Sequence, residues 1–272
     1  MSTRKMIITD LDGTALSDWA TLHPQTKKAL MEAKDRGHVV VIATGRPARA
    51  SLHFYEELGL TTPIINFNGA YIHHPGDDTF EDILAEIPKQ VVVDLFDSPF
   101  RDKIINAFCE YKDHLYILDE HSKTHDFFHI ETCTSVKYGE FKDTLEHSPS
   151  GFLLETQPGF AQDVVNFLRS NYSDVIACRK WDGDSNIVEV FHIETNKGNA
   201  ITKLAHHFGI DIEHTIAFGD ASNDLEMLQV AGVGVVMENG SREVKEIANV
   251  ITKSNKDAGV AHYLYEHILI AE

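Results

Sequence analysis

Four short apolar runs, each cut off by a polar turn that carries glycine, constrain what this chain can fold into. Met6 to Ile8 stops at Asp10-Leu11-Asp12-Gly13, Val39 to Ala43 at Thr44-Gly45, Pro63 to Phe67 at Asn68-Gly69, and Thr215 to Phe218 at Gly219-Asp220. Runs so short and so rich in β-branched residues suit strands buried on both faces. Helical patterns lie between them. His23-Pro24 opens one, with Ala29, Leu30 and Ala33 on a face and Gly37 as its stop, and Leu52, Tyr55 and Leu58 mark a second that ends at Gly59. From Gly198 onward Ile201, Ala205 and Phe208 line a third, and Leu225 and Leu228 mark a fourth. Val233 to Val236 and Val250-Ile251 supply further strands, and a closing helix ends near Ile270. Strands alternating with helices imply right-handed crossovers and a mainly parallel, Rossmann-like sheet, so the expected fold class is α/β.

The rhythm changes between the first three strands and the last ones. Short apolar runs, Val91 to Leu95 and Phe152 to Leu154, there mix with stretches read as helical, Asp102 to Tyr111 and Phe160 to Asn171, and turns at Gly151, Pro158-Gly159 and Asp182-Gly183 intervene. The expectation is a catalytic core of residues 1–81 and 191–272 interrupted by an α+β cap of residues 82–190. Such an insertion would serve as a lid that selects the substrate.

Charge narrows the function. The chain has 272 residues, with 24 Lys+Arg against 42 Asp+Glu and a formal net charge of −18, which repels nucleic acid and anionic membrane surfaces. An anionic substrate would need a metal ion or a few placed cations. Cys109, Cys133 and Cys178 have neither pairing nor metal-ligand spacing, no apolar run reaches a membrane span, and no signal-peptide pattern precedes Met6. The expected setting is the cytoplasm, as a monomer or small homo-oligomer.

In open α/β sheets ligands bind beyond the carboxyl ends of the strands, where four clusters can be set side by side: Asp10-x-Asp12, Thr44-Gly45, Lys197-Gly198, and Gly219-Asp220-x-x-Asn223-Asp224. They supply carboxylates, a hydroxyl, a cation and an amide, an inventory that can hold a phosphoryl group and Mg²⁺, with Asp10 and Asp220 as the carboxylates. Each residue also has a structural reading. Thr44, Asp220 and Asn223 could cap helices, Asp-x-Asp-Gly is ordinary turn chemistry, and Lys197 could be a solvated surface residue.

The joint order of D-L-D-G-T (Asp10 to Thr14), V-I-A-T-G-R (Val41 to Arg46), N-F-N-G-A (Asn66 to Ala70), N-K-G (Asn196 to Gly198) and G-D-A-S-N-D (Gly219 to Asp224) overturns those readings. The set resembles the haloacid-dehalogenase superfamily of phosphohydrolases, in its Cof-type group with a large inserted cap. The resemblance implies Asp10 as nucleophile and Asp12 as general acid/base, with Asp12 also a metal ligand through its backbone carbonyl beside Asp10 and Asp220. It further implies that the Leu11 amide, Thr44, Gly45, Lys197 and Asn223 hold the phosphoryl group. Asp224 would orient Lys197 or a metal-bound water. The implied activity is Mg²⁺-dependent hydrolysis of a small phosphorylated metabolite, such as a sugar phosphate, through an aspartyl-phosphate. A phosphomutase using the same acids and a non-catalytic binder of phosphometabolites are the alternatives. A dehalogenase would have no need of Asp12.

Two other patterns carry no function. Asp182, Asp184 and Asn186 alternate like a Ca²⁺ loop, but Ile187 stands where glycine is needed and Ile193 where glutamate is needed, so a hairpin turn is expected. His121, His125 and His129 could share a helix face, but no further ligands accompany them. The Gly-rich phosphate loop of nucleoside triphosphatases and the Gly-x-Ser-x-Gly elbow are both absent from the sequence.

Overall fold

The computed structural model describes residues 4–120, 130–181 and 185–270, so His121, His125, His129, Asp182 and Asp184 lie outside the described residues. The chain divides into two compact units. Unit 1 comprises Met1–Arg46, Ser51–Ile83 and Asn196–Glu272, and unit 2 comprises Pro47–Ala50 and Leu84–Thr195. Among the described residues no helix is long and apolar enough to cross a membrane, and Cys109, Cys133 and Cys178 are free thiols.

Unit 1 is built on a five-stranded parallel sheet in the order Val250–Ile251, Val233–Val236, Thr215–Gly219, Met6–Thr9, Val39–Ile42. Successive residues of a strand point to opposite faces, and both faces are covered. Ile7, Val40, Ile216 and Val235 pack with Ala29, Leu30 and Ala33 of helix Pro24–Asp35 and with Leu264 of helix Gly259–His267. Met6, Ile8, Val41 and Ala217 pack on the other face with Ile201, Leu204 and Ala205 of helix Lys197–Phe208 and with Met227 of helix Leu225–Val230. Two-sided burial explains why these strands read as continuous apolar runs. The third expected strand is Ile64–Asn66; it meets the parallel sheet through a single bridge, Ala43 to Ile65, and pairs antiparallel with Tyr71–His73. A small hairpin, Leu16–Asp18 with Thr21–Leu22, follows Asp12.

Unit 2 has a six-stranded sheet in the order Ser135–Tyr138, His114–Ile117, Ile104–Tyr111, Gly151–Thr156, Ile187–His192, Ile176–Lys180, antiparallel except for its first pair. Helices Lys89–Phe96 and Ala161–Tyr172 cover one face, where Val91, Val92, Leu95, Val164, Val165 and Leu168 meet Ala107, Cys109, Phe152, Leu154, Val188 and Val190. Two local readings are corrected here. The run Val91 to Leu95 is helix, because Val91, Val92, Leu95 and Phe96 are buried while Val93 and Asp94 are partly exposed, the stripe of a helix. The stretch Asp102 to Tyr111 is mostly strand, with Ala107 and Cys109 facing the helices and Phe108 the opposite side, the period of two that a strand imposes. Near the carboxyl end of that strand Glu110 forms a buried ion pair with Arg49, their side chains 9% and 2% exposed.

Candidate active site

The central strand Met6–Thr9 delivers Asp10 to the carboxyl edge of the unit 1 sheet, where its N–H donates to Phe218 O at 3.0 Å and so continues the ladder one residue past the strand. The chain then turns at once. Gly13 has φ +75°, and a Cβ there would stand 2.3 Å from Asp220 Oδ2, so no larger residue fits the close approach of the first loop to the Asp220 loop. The Thr14 hydroxyl donates to Asp220 Oδ1 at 2.9 Å, and Asn239 Nδ2 donates to Gly13 O at 2.8 Å.

Lys197 opens helix Lys197–Phe208, after an N-cap in which the Asn196 side chain accepts from the Asn199 N–H at 2.7 Å. The lysine is fully buried and is no surface residue. Its Nζ donates to Asp10 Oδ1 at 2.6 Å and to Asp224 Oδ1 at 2.7 Å. Burial alone would lower its pKa, but the two carboxylates overrule that and hold it above its ordinary value, so the ammonium stays charged. Asp224 has both oxygens engaged, since Oδ2 accepts from the backbone N–H groups of Asp220 and Ala221.

Asp10, Asp220 and Asp224 each bring a carboxylate oxygen within 4.8 Å of the others. Among the described residues one ammonium, that of Lys197, pairs with these acids. Burial raises the Asp10 carboxyl well above its ordinary pKa, with Lys197 opposing, and burial together with the charge of Asp224 raises Asp220 to about 6. Asp10 Oδ2 and Asp220 Oδ2 accept from no protein group among the described residues. Hard oxygen donors in surplus, with their charge uncompensated, fit a divalent cation.

Thr44 and Gly45 follow the neighbouring strand Val39–Ile42, and Thr44 Oγ1 accepts from the Arg46 N–H at 3.1 Å, which leaves its own hydroxyl proton to donate elsewhere. Sequence reasoning gave Arg46 no role, although it stands inside V-I-A-T-G-R. Its guanidinium grips Asp12 with two bonds, Nε to Oδ2 at 2.8 Å and Nη2 to Oδ1 at 2.5 Å, while Nη2 also reaches the Trp19 carbonyl at 2.7 Å and the group lies over the Phe54 ring. The Asp12 carboxylate is thus held by Arg46, and its charge still acts on Asp220. Asn223 Nδ2 donates to Asn68 Oδ1 at 2.9 Å, a second partner that the sequence did not disclose. Leu11 is buried in the turn after Asp10.

A family model described as haloacid dehalogenase-like hydrolase matches residues 7–264. The chain belongs to that family. It is 37% identical over 262 residues to a 5-amino-6-(5-phospho-D-ribitylamino)uracil phosphatase of Bacillus subtilis, covering 96% of this chain and 97% of the relative. It is 28% identical over 288 residues to a pyridoxal phosphate phosphatase of Escherichia coli, covering 98% and 100%. Among solved structures, a haloacid dehalogenase-like hydrolase from Bacteroides thetaiotaomicron superposes with a TM-score of 0.83 at 22% identity, covering 97% of this chain and 99% of that one, a likeness of fold. The hydrolase assignment and the α/β fold expected from the strand-end motifs agree with these matches.

Proposed function

We propose that the chain is a Mg²⁺-dependent phosphatase that hydrolyses a small phosphorylated metabolite in the cytoplasm through an aspartyl-phosphate on Asp10. The observation that carries this reading is the pairing of a buried Asp10, one oxygen tied to Lys197 and the other without a partner among the described residues, with an excess of carboxylate charge from Asp220 and Asp224. The names of the two relatives, both phosphatases of small phosphorylated compounds, support the substrate class.

In the first half-reaction an Asp10 oxygen attacks phosphorus, the ester P–O bond breaks, and the electron pair leaves with the substrate oxygen, which takes a proton from Asp12. In the second half-reaction Asp12 takes a proton from water, the water oxygen attacks phosphorus, and the bond to Asp10 breaks, which releases phosphate and restores the carboxylate. Lys197 has three N–H groups and spends two on Asp10 and Asp224, so the third is left for a phosphoryl oxygen. The Thr44 hydroxyl, the amides of Leu11 and Gly45, and Asn223 would hold the remaining oxygens as charge spreads over them. Asp224, held by three donors, fixes the lysine. Asp10, Asp220 and the carbonyl of Asp12 would hold Mg²⁺, which supplies charge that lets an anionic phosphate approach two carboxylates. Unit 2 is assigned the choice of leaving group, because every motif that grips phosphate lies outside it.

The test is turnover of a panel of phosphate esters before and after chelation. Chelation is expected to abolish phosphate release and Mg²⁺ to restore it, with Ca²⁺ a poor substitute because its larger, looser shell misplaces the attacking oxygen. Full activity after exhaustive chelation sinks the metal requirement, and isomerised product without free phosphate redirects the assignment to a mutase.

A further inference from the structure

The motif N-F-N-G-A has no role in the reaction just described, yet its turn is the most unusual backbone in unit 1. Phe67, Asn68 and Gly69 take φ of +49°, +54° and +104° in succession. Left-handed backbone at two neighbouring residues that carry side chains persists only where the surroundings hold it. Those surroundings are the loops expected to hold phosphate. The Asn68 N–H donates to Thr44 O at 3.0 Å and the Phe67 N–H to Arg46 O at 3.3 Å, while Asn66 Nδ2 also donates to Arg46 O at 2.9 Å. The carbonyls on both sides of Gly45 are thereby tied to one turn. Its Gly69 presses against a third loop, since a Cβ there would lie 2.5 Å from the carbonyl oxygen of Asn196, the residue before Lys197. A fourth loop meets the Asn68 side chain, whose Oδ1 accepts from Asn223 Nδ2 at 2.9 Å, and a Cβ on Gly45 would stand 3.0 Å from the same oxygen.

We infer that Asn68 is a positioning residue: its carboxamide aims Asn223, and its turn sets the spacing of the Thr44-Gly45 and Lys197 loops around a single phosphoryl group. The inference rests on the phosphatase reading above. Asparagine suits the place because it tolerates left-handed backbone better than most residues while carrying the acceptor that Asn223 needs.

Asn68→Gly isolates the side chain, since glycine keeps the left-handed backbone without strain. The variant is expected to melt within about 3 °C of the wild type, while kcat/KM for p-nitrophenyl phosphate falls and the inhibition constant of inorganic phosphate rises, each by about tenfold, the worth of one well-aimed hydrogen bond. The deciding measurement is the cycle with Asn223→Ala: if Asn68 works through Asn223, the double variant loses no more phosphate affinity than Asn223→Ala alone. Losses that multiply, or an Asn68→Gly variant with unchanged phosphate affinity, overturn the inference while leaving the phosphatase reading intact. A wild type that neither turns over a phosphate ester nor binds phosphate removes both.

Discussion

Unit 1 buries an ammonium, Lys197, among Asp10, Asp224 and Asp220, whereas unit 2 buries a guanidinium, Arg49, against Glu110. Burial pushes the Asp10 and Glu110 carboxyls up, and the cation beside each pulls it down. The difference lies in the sharing. Lys197 divides its donors between two carboxylates and leaves Asp220 in no ion pair among the described residues, while Glu110 has a guanidinium beside it. Burial of charge therefore does not by itself mark a reacting centre. Surplus charge of one sign, with oxygens left over, is the better sign of a place for a cation and a phosphate.

The sharpest way to break this contrast is the same near-isosteric change made in both units. Asp10→Asn is expected to lower kcat by at least about 10⁴-fold, because an amide cannot form the phosphoenzyme, with a melting temperature within a few degrees of wild type. Glu110→Gln is expected to leave kcat within about threefold while costing about 2–4 kcal/mol of stability in urea unfolding, since it strips a buried guanidinium of its counter-charge. A Glu110→Gln enzyme as dead as Asp10→Asn but equally stable would erase the distinction.

Within unit 1, Asp12 and Arg46 test whether charge outside the acid cluster also serves the reaction. Asp12→Ala is expected to lose about 10²–10⁴-fold in kcat, and more on an alkyl phosphate than on p-nitrophenyl phosphate, whose leaving group needs no proton. Arg46→Lys, which gives up the two-pronged grip on Asp12, should show the same leaving-group bias at about tenfold. Equal losses on both esters would count against the acid role.

The smallest effect concerns stability. Asp220 titrates near 6 in the folded protein against about 3.9 unfolded, so the folded state binds more protons between those values and stability falls as pH rises from about 4 to 6. The penalty is then fully present at pH 7.5. Asp220→Asn should accordingly stabilise the metal-free protein by roughly 1–3 kcal/mol at pH 7.5 and by almost nothing at about pH 3. Mg²⁺ should raise the wild-type melting temperature at pH 7.5 more than at pH 5, where protons compete for the same oxygen. A stabilisation independent of pH would mean that Asp220 carries no such penalty.

Much of unit 1 was legible because two constraints coincide on the same residues. A strand buried on both faces must be apolar along its length, so the polar Asp10, Thr44 and Asp220, proposed to grip phosphate or metal, stand out where such runs end. Lys197 is different: only the joint order of motifs argued against a surface lysine, and its full burial between two aspartates came from the structure. Arg46 and Asn68 lay inside motifs already noticed, but their partners stand 34 and 155 residues away in sequence, a relation that local pattern does not encode. In unit 2 the local signal misled. Ile104–Tyr111 is a strand because His114–Ile117 and Gly151–Thr156 flank it, and pairing across the chain outweighed the helical spacing read from its apolar residues.

The strand order of unit 1 also bears on how the chain is made. Met6–Thr9 emerges first from the ribosome, but one of its two neighbours, Thr215–Gly219, pairs Met6 with Thr215 and so is synthesised roughly two hundred residues later. At about 5–20 residues per second, the nascent first strand waits some 10–40 seconds for that edge to be covered, while the whole of unit 2 is translated in between. Asp10 therefore meets Asp220 and Asp224 only about two hundred residues after it is made, and until then the surplus of buried carboxylate charge around Lys197 does not exist.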